Sequence, residues 1–189
     1  MTGEGGDTAV PEDRNTRVRL ALGAALEALK LARRETAGAA TEPARFGWAA
    51  LGMVSTLQGA PVAALSGYET ATISAVLNPS QPERIAPVAF LLRRARSGEY
   101  LNAPERVEMA GSRQRALERV IDVRNAAVHA LSVEIPETFV QDMQVAARLI
   151  EHLVLQAPAF DPAPVRVVSA LITDELKALN AALREMPGD

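Results

Sequence analysis

The spacing of apolar residues predicts helices along most of the chain. From Arg14 onward, alanines, leucines and valines recur at three- and four-residue steps, with charged residues between them, up to a loop expected at Ala37 to Pro43. The same spacing predicts further helices at about 44–58, 62–77, 84–97, 112–131, 136–155 and 164–185. No segment alternates steadily between apolar and polar residues, so we predict no strand. The predicted fold is all-α, a bundle of five to seven helices.

Prolines, glycines and one serine set the expected helix boundaries. Gly59-Ala60-Pro61 should end or kink the second helix, and Asn78-Pro79 should stop the third. Ser112 is a candidate N-cap, and Pro136-Glu137 is typical of a first helical turn. Residues 1–13 carry four acids, three glycines and a proline, which predicts a disordered tail before a single helical domain at 14–186.

The uncharged stretch from Phe46 to Tyr68 raises the question of a membrane span. It is 23 residues long, which is enough to cross a bilayer. It also contains four glycines, Pro61 and several polar residues, so we interpret it as a broken pair of buried helices rather than a membrane anchor. The first residues are acidic and lack an apolar signal region, so we expect a cytoplasmic protein without membrane partners.

Composition narrows the range of possible functions. The 189 residues include 35 alanines but only seven aromatic residues, which favours closely packed helices. Because cysteine is absent, disulfides, thiolate zinc sites and cysteine nucleophiles are excluded. The net charge of −3 argues against a globally basic nucleic-acid binder but leaves room for a local basic site.

Few residues in the chain are suited to catalysis. The two histidines, His129 and His152, lack the HExxH spacing of a zinc site, so no metal is expected. Phosphate-loop, dinucleotide-binding and serine-hydrolase motifs are missing as well, so we expect no cofactor. We interpret His152, in an apolar surrounding, as structural. The segment 117–131 is the remaining candidate.

A helical wheel of this segment places an arginine among apolar residues. At 100° per residue, Arg124 falls in the middle of an apolar stripe where a leucine would be expected. The stripe consists of Leu117, Val120, Ile121, Val128 and Leu131. Because a buried arginine without a partner is costly, Arg124 should meet an anion, a dimer axis or a cleft.

A polar ridge lies on the adjacent face of the same predicted helix. Glu118, Asp122, Asn125 and His129 fall within about 60° of arc. Asn125 and His129 are one turn apart, so the amide can orient the imidazole, and Glu118 and Asp122 are candidates for polar support. The alternative interpretation of such a ridge is an ordinary solvated face.

The segment Arg124-Asn125-Ala126-Ala127-Val128-His129 resembles the RNxxxH form of the Rx4–6H motif of HEPN domains (higher eukaryotes and prokaryotes nucleotide-binding). The resemblance covers about residues 45–155. It implies a small helical bundle, and many members of the family are metal-independent ribonucleases in toxin–antitoxin, phage-defence and CRISPR systems. It also implies a homodimer whose two motifs face each other across one cleft, and a possible cognate antitoxin or regulatory protein.

The residue types suit the cleavage of RNA without a metal. In that reaction the ribose 2′-hydroxyl attacks its own phosphodiester, which leaves a cyclic phosphate and a 5′-hydroxyl. His129 can move protons near neutral pH, and Arg124 can hold two oxygens of the anionic transition state. With Asn125 as the orienting group, these three are the candidate catalytic residues.

Local charge supports an RNA partner. Between Glu83 and Arg124 there are nine arginines against six acids. Five of these arginines are candidates for tracking an RNA backbone: Arg93, Arg94, Arg96, Arg113 and Arg115. The alternative is that most are ordinary exposed helix arginines. Tyr100 and Trp48 could stack on bases, although a solitary tryptophan in such a bundle is more often part of the core.

The sequence therefore supports three functional hypotheses. The first is a HEPN-type endoribonuclease acting as a toxin or defence effector. The second is a non-catalytic HEPN-like domain that binds a nucleotide, RNA or a partner protein. The third is an unrelated helical interaction domain in which the motif occurs by chance.

Overall fold

The computed structural model describes residues 13–129 and 134–186, which form six α-helices and one short antiparallel hairpin. The helices are α1 (Arg14–Ala39), α2 (Phe46–Leu65), α3 (Val88–Ala95), α4 (Gly111–Val128), α5 (Phe139–Glu151) and α6 (Arg166–Glu185). The hairpin pairs β1 (Leu77–Asn78) with β2 (Gln81–Ile85). The all-α prediction is confirmed.

The first two helices pack closely because small residues line their contact. A Cβ added at Gly52 would lie 2.5 Å from the backbone nitrogen of Ala32, and one at Gly59 would lie 2.8 Å from the Ala21 carbonyl oxygen. Ala25 and Ala32 of α1 lie against these glycines and are buried. The high alanine content thus reflects short distances between helix axes rather than helix propensity alone.

Helix α2 is continuous where the sequence predicts a break. It runs through Pro61 to Leu65, so the prediction of two helices at 44–58 and 62–77 is wrong. Proline in a helix interior costs about 3 kcal/mol. Here Leu57, Ala60 and Leu65 around it are all buried, and their packing outweighs that local cost.

The uncharged stretch is a core helix. The segment Pro43–Leu65 is long and apolar enough to cross a membrane, but 72% of its most apolar window is buried inside the protein. This burial is compatible with a soluble protein.

The hairpin lies mostly in the link between the predicted helices at 62–77 and 84–97 and overlaps them only at Leu77 and at residues 84–85, so the expectation that no strand forms is wrong. Four of the five β2 residues, 81–84, are exposed, so the strand has no alternating pattern that could reveal it. The Asn78 side-chain oxygen accepts a hydrogen bond from the Ser80 amide, which forms the turn. Pro82 is tolerated because β2 is an edge strand.

Helix ends also differ from the prediction in detail. Ser112 is not a cap: α4 begins at Gly111, and its N-cap residue is Ala110. Asp13 caps α1 by accepting from the Thr16 amide at 2.7 Å, so this residue does not belong to a disordered tail. The two hydrogen bonds from Thr16 hold the pKa of the Asp13 carboxyl below its usual value. Helix α5 begins after Pro136 and continues into a π turn, His152–Gln156.

Buried or partly buried ion pairs join helices that are distant in sequence. Arg119 on α4 donates to both carboxylate oxygens of Asp142 on α5, at 2.7 and 2.6 Å, and this raises the pKa of the guanidinium. Arg33 on α1 pairs with Glu175 on α6 at 2.6 Å. These contacts fix α4 and α6 against the rest of the bundle. Residues 1–12, with most of the predicted tail, and Leu131 of the predicted stripe lie outside the described residues.

Candidate functional site

The HEPN-like motif lies at the C-terminal end of α4. Arg124 and Asn125 belong to its last turns, and His129 directly follows Val128, the last helical residue. The His129 backbone amide donates to the Asn125 carbonyl oxygen at 3.1 Å, which closes the helix. The histidine is exposed, while Arg124 and Asn125 are half-buried. The motif is therefore at the protein surface.

The buried face of α4 is rotated relative to the predicted stripe. Its fully buried residues are Ala116, Leu117, Val120 and Val123. Ile121 is only half-buried and Val128 is 49% exposed. Helix α4 packs against both α2 and α5, and its buried side chains are those that face these two helices. Arg124 consequently lies at the margin of the apolar face rather than in its middle.

Arg124 combines one internal hydrogen bond with one unused donor. Its Nη1 donates to Oδ1 of Asn125 at 2.8 Å. Its Nε atom is buried, and no hydrogen-bond partner exists for it among the described residues. Such an unsatisfied buried donor costs free energy, and functional sites commonly accept that cost.

Asn125 is engaged differently from the prediction. The sequence suggests that its amide orients the His129 imidazole, but the hydrogen bond recorded for its Oδ1 comes from Arg124. The amide therefore positions the guanidinium in this structure. The imidazole of His129 is presented to solvent.

The two acids of the predicted ridge are exposed. Glu118 accepts from Gln114 at 2.9 Å, and Gln114 in turn accepts from Arg96 at 3.0 Å. Glu118 lies eleven residues before His129, about 16 Å along the helix, so it does not support the imidazole. Asp122 is closer, and within the described chain it makes no ion pair.

The structure divides the candidate RNA-binding arginines. Arg93, Arg96, Arg113 and Arg115 are exposed. Arg94 is buried, and its Nη1 donates to the carbonyl oxygens of Ala75 and Leu77 at 3.0 and 2.9 Å. Its guanidinium also lies over the rings of Phe90 and Tyr100. Arg94 is thus a structural residue that fastens the hairpin to α3, and its assignment to RNA binding is wrong.

The two aromatic residues considered for base stacking, Trp48 and Tyr100, differ in exposure. Trp48 is 55% exposed, so the preference for a core position is wrong. Its side chain lines a groove with Glu35, Glu42, Ala44 and Arg45. The preceding residue, Gly47, is the one that faces α4, because a Cβ there would lie 2.8 Å from the Ala127 Cβ. Tyr100 is half-buried against Arg94 and serves packing.

Sequence reasoning missed a large cavity at the other end of α4. Its volume is about 670 Å³, and its lining includes Arg106, Arg113, Arg148 and His152. These residues come from a loop and two helices that are far apart in sequence, so no local motif could have indicated it. Within the described part of the chain, no group of three potential metal ligands occurs.

Comparison of the chain with protein-family models, curated proteins and solved structures finds no match. The resemblance to HEPN domains therefore rests on the residues of the motif and on their placement in a helical bundle.

Proposed function

We propose that the protein is a HEPN-type, metal-independent endoribonuclease, acting in the cytoplasm as a toxin or defence effector. The observation that carries the proposal is the arrangement of the motif at the accessible end of α4. Arg124 and Asn125 are joined by a 2.8 Å hydrogen bond, the Arg124 side chain is partly exposed, and His129 is exposed at the same helix end.

Each residue has a defined role in the proposed reaction. His129 removes the proton of the ribose 2′-hydroxyl as its oxygen attacks the adjacent phosphorus. Arg124, positioned by Asn125, donates to the non-bridging phosphate oxygens as negative charge accumulates on them. The bond from phosphorus to the 5′ oxygen breaks, and that oxygen takes up a proton. The products are a cyclic phosphate and a 5′-hydroxyl.

One chain supplies a single imidazole, so the proposed active unit is a homodimer. The leaving 5′ oxygen would take its proton from His129 of the partner subunit. The apolar side chain of Val128, which directly precedes His129, is 49% exposed. It offers an apolar contact at the border of two motifs that meet around one phosphate.

The test is incubation of the purified protein with end-labelled RNA in EDTA. We expect cleavage with cyclic-phosphate ends, and a loss of roughly a hundredfold or more for His129→Ala. The matched control is His152→Ala, which removes the other histidine and should keep its cleavage rate. Activity lost in EDTA and restored by magnesium would contradict the mechanism. RNA that is bound but left intact would support the non-catalytic alternative.

A mixed dimer tests whether two chains share the site. Wild-type chains are co-expressed with Arg124→Ala/His129→Ala chains that carry a second tag, and the mixed species is isolated. Self-sufficient chains would retain about half of the activity, whereas a shared cleft should lose roughly tenfold or more. A half-active mixed dimer, or an active monomer, would refute the shared cleft.

A further inference from the structure

The cavity of about 670 Å³ has the dimensions of a small-molecule site. It lies between the segment 101–110, the first turns of α4, and the end of α5 with its π turn. Its volume is within the usual range of ligand pockets, about 300–1,000 Å³. The half-buried Met109 and Leu149 contribute an apolar surface to its wall.

Three arginines from three different elements converge on this cavity. Arg106 comes from the loop, Arg113 from α4 and Arg148 from α5. None of the three forms an ion pair with any described residue. The Arg148 Nε donates to the Gln144 carbonyl oxygen of its own helix at 3.3 Å, and the three guanidiniums make no other side-chain hydrogen bond within the described chain. Three uncompensated guanidiniums around one concavity favour an anionic ligand.

The acids nearby only partly offset this charge. Glu108 and Glu151 also line the cavity, so the arginines outnumber the carboxylates there, in a chain whose net charge is −3. Glu105, beside Arg106 in sequence, is engaged elsewhere because its Oε2 accepts from the Tyr68 hydroxyl at 3.1 Å. Burial raises the pKa of the Tyr68 hydroxyl.

His152 adds a fixed polar group to the wall. It is the first residue of the π turn, and its Nε2 lies 3.3 Å from the Glu105 carbonyl oxygen. Because a carbonyl oxygen only accepts, Nε2 carries the hydrogen in this contact. The contact joins the end of α5 to the loop that supplies Arg106, which fixes two walls of the cavity relative to each other.

We propose that this cavity binds a small organic anion with an apolar body, such as a phosphate monoester, a sulfonate or a carboxylate. The anionic group would face Arg113 and Arg148, and the apolar body would cover Met109 and Leu149. The site is separate from the motif, because Arg113 precedes Arg124 by eleven residues, about 16 Å along α4. The proposal does not depend on the proposed ribonuclease activity.

The test uses two fluorescent probes that share one ring system. 8-Anilino-1-naphthalenesulfonate carries a sulfonate, and N-phenyl-1-naphthylamine is its neutral counterpart. We expect the anionic probe to bind with a stoichiometry of one per chain and with an affinity that falls as salt is added. In Arg113→Gln/Arg148→Gln its affinity should fall about tenfold, whereas binding of the neutral probe should be unchanged.

The matched control is Arg19→Gln/Arg166→Gln, which removes two exposed arginines that do not line the cavity. It should bind both probes like the wild type. Equal loss in both double variants, or no loss in either, would overturn the proposal, as would binding to several sites per chain. With binding at one site established, displacement by phenyl phosphate or by benzoate distinguishes a phosphate from a carboxylate ligand.

Discussion

Two regions of this helical bundle differ in how tightly they are packed. One is the contact between α1 and α2, and the other is the C-terminal end of α4. At the first, glycines and alanines let backbones approach until there is no room for a single methyl group at Gly52. At the second, Arg124 keeps a buried donor without a partner, and His129 and Val128 remain exposed. The first region is optimised for packing, while the second retains polar groups that packing alone does not require. Substitutions should therefore affect stability in one region and function in the other.

The largest loss of stability is expected for Gly52→Ala. The new Cβ would lie 2.5 Å from the Ala32 nitrogen and 2.7 Å from the Ala28 carbonyl oxygen, both backbone atoms that cannot rotate away. The helices must separate, so we expect the free energy of unfolding to fall by about 3 kcal/mol, measured by urea denaturation.

Gly23→Ala is the matched control for that substitution. Gly23 also lies inside a helix, but a Cβ there would meet nothing within 4 Å. It should raise the free energy of unfolding by about 0.5–1 kcal/mol, since alanine is the better helix former. Equal destabilisation of the two variants would mean that helix packing is not the cause.

A smaller loss is expected for Asp142→Ala, at the contact between α4 and α5. Asp142 is 2% exposed and accepts from Arg119 and from the Thr138 hydroxyl. Breaking a buried pair costs about 3–5 kcal/mol, but the Arg119 side chain is 38% exposed and can turn to water. We therefore expect the free energy of unfolding to fall by about 2 kcal/mol, measured by the same denaturation experiment.

The comparison for Asp142 is Glu27→Ala, which breaks the exposed pair between Lys30 and Glu27. Pairs of this kind contribute little, so the change should stay below about 0.5 kcal/mol. If the free energy of unfolding fell equally in both variants, burial would not explain the contribution of the pair between Arg119 and Asp142.

The sequence predicts the long helices because their burial is one-sided and periodic. Helix α6 was expected at 164–185 and runs from Arg166 to Glu185, and its buried residues Ile172, Leu176, Leu179 and Leu183 recur at three- and four-residue steps. Prediction from the sequence fails where tertiary contacts override local preference. The continuity of α2 through Pro61 depends on packing from all sides, and β2 exposes residues 81–84 and so shows no pattern.

The sequence proposes the residues of the candidate site but does not predict their geometry. The RNxxxH spacing identifies Arg124, Asn125 and His129, and the structure places all three at one helix end. Which neighbour Asn125 bonds, and which arginines are buried, depends on helix rotation and on contacts between distant segments. Arg94 and Arg93 are adjacent in sequence, yet one is buried beneath the hairpin and the other is exposed. The apolar spacing of α3 separates the two arginines by 100°, but it does not show that Arg94 finds acceptors at Ala75 and Leu77.

The smallest effect on stability is expected for Arg124→Met, and it tests the contrast between the two regions most directly. The substitution removes the hydrogen bond to Asn125, which destabilises, and also the unsatisfied Nε, which stabilises. Because these contributions oppose each other, the free energy of unfolding should change by about 0.5 kcal/mol or less. The proposed cleavage of RNA should nevertheless fall roughly a hundredfold or more, since methionine cannot hold phosphate oxygens. The matched control is Arg94→Met, which leaves two carbonyl oxygens without their donor. In this variant the free energy of unfolding should fall by about 2 kcal/mol or more. A similar loss of stability in both variants would make Arg124 a structural arginine like Arg94, and the motif would then lose its central functional residue.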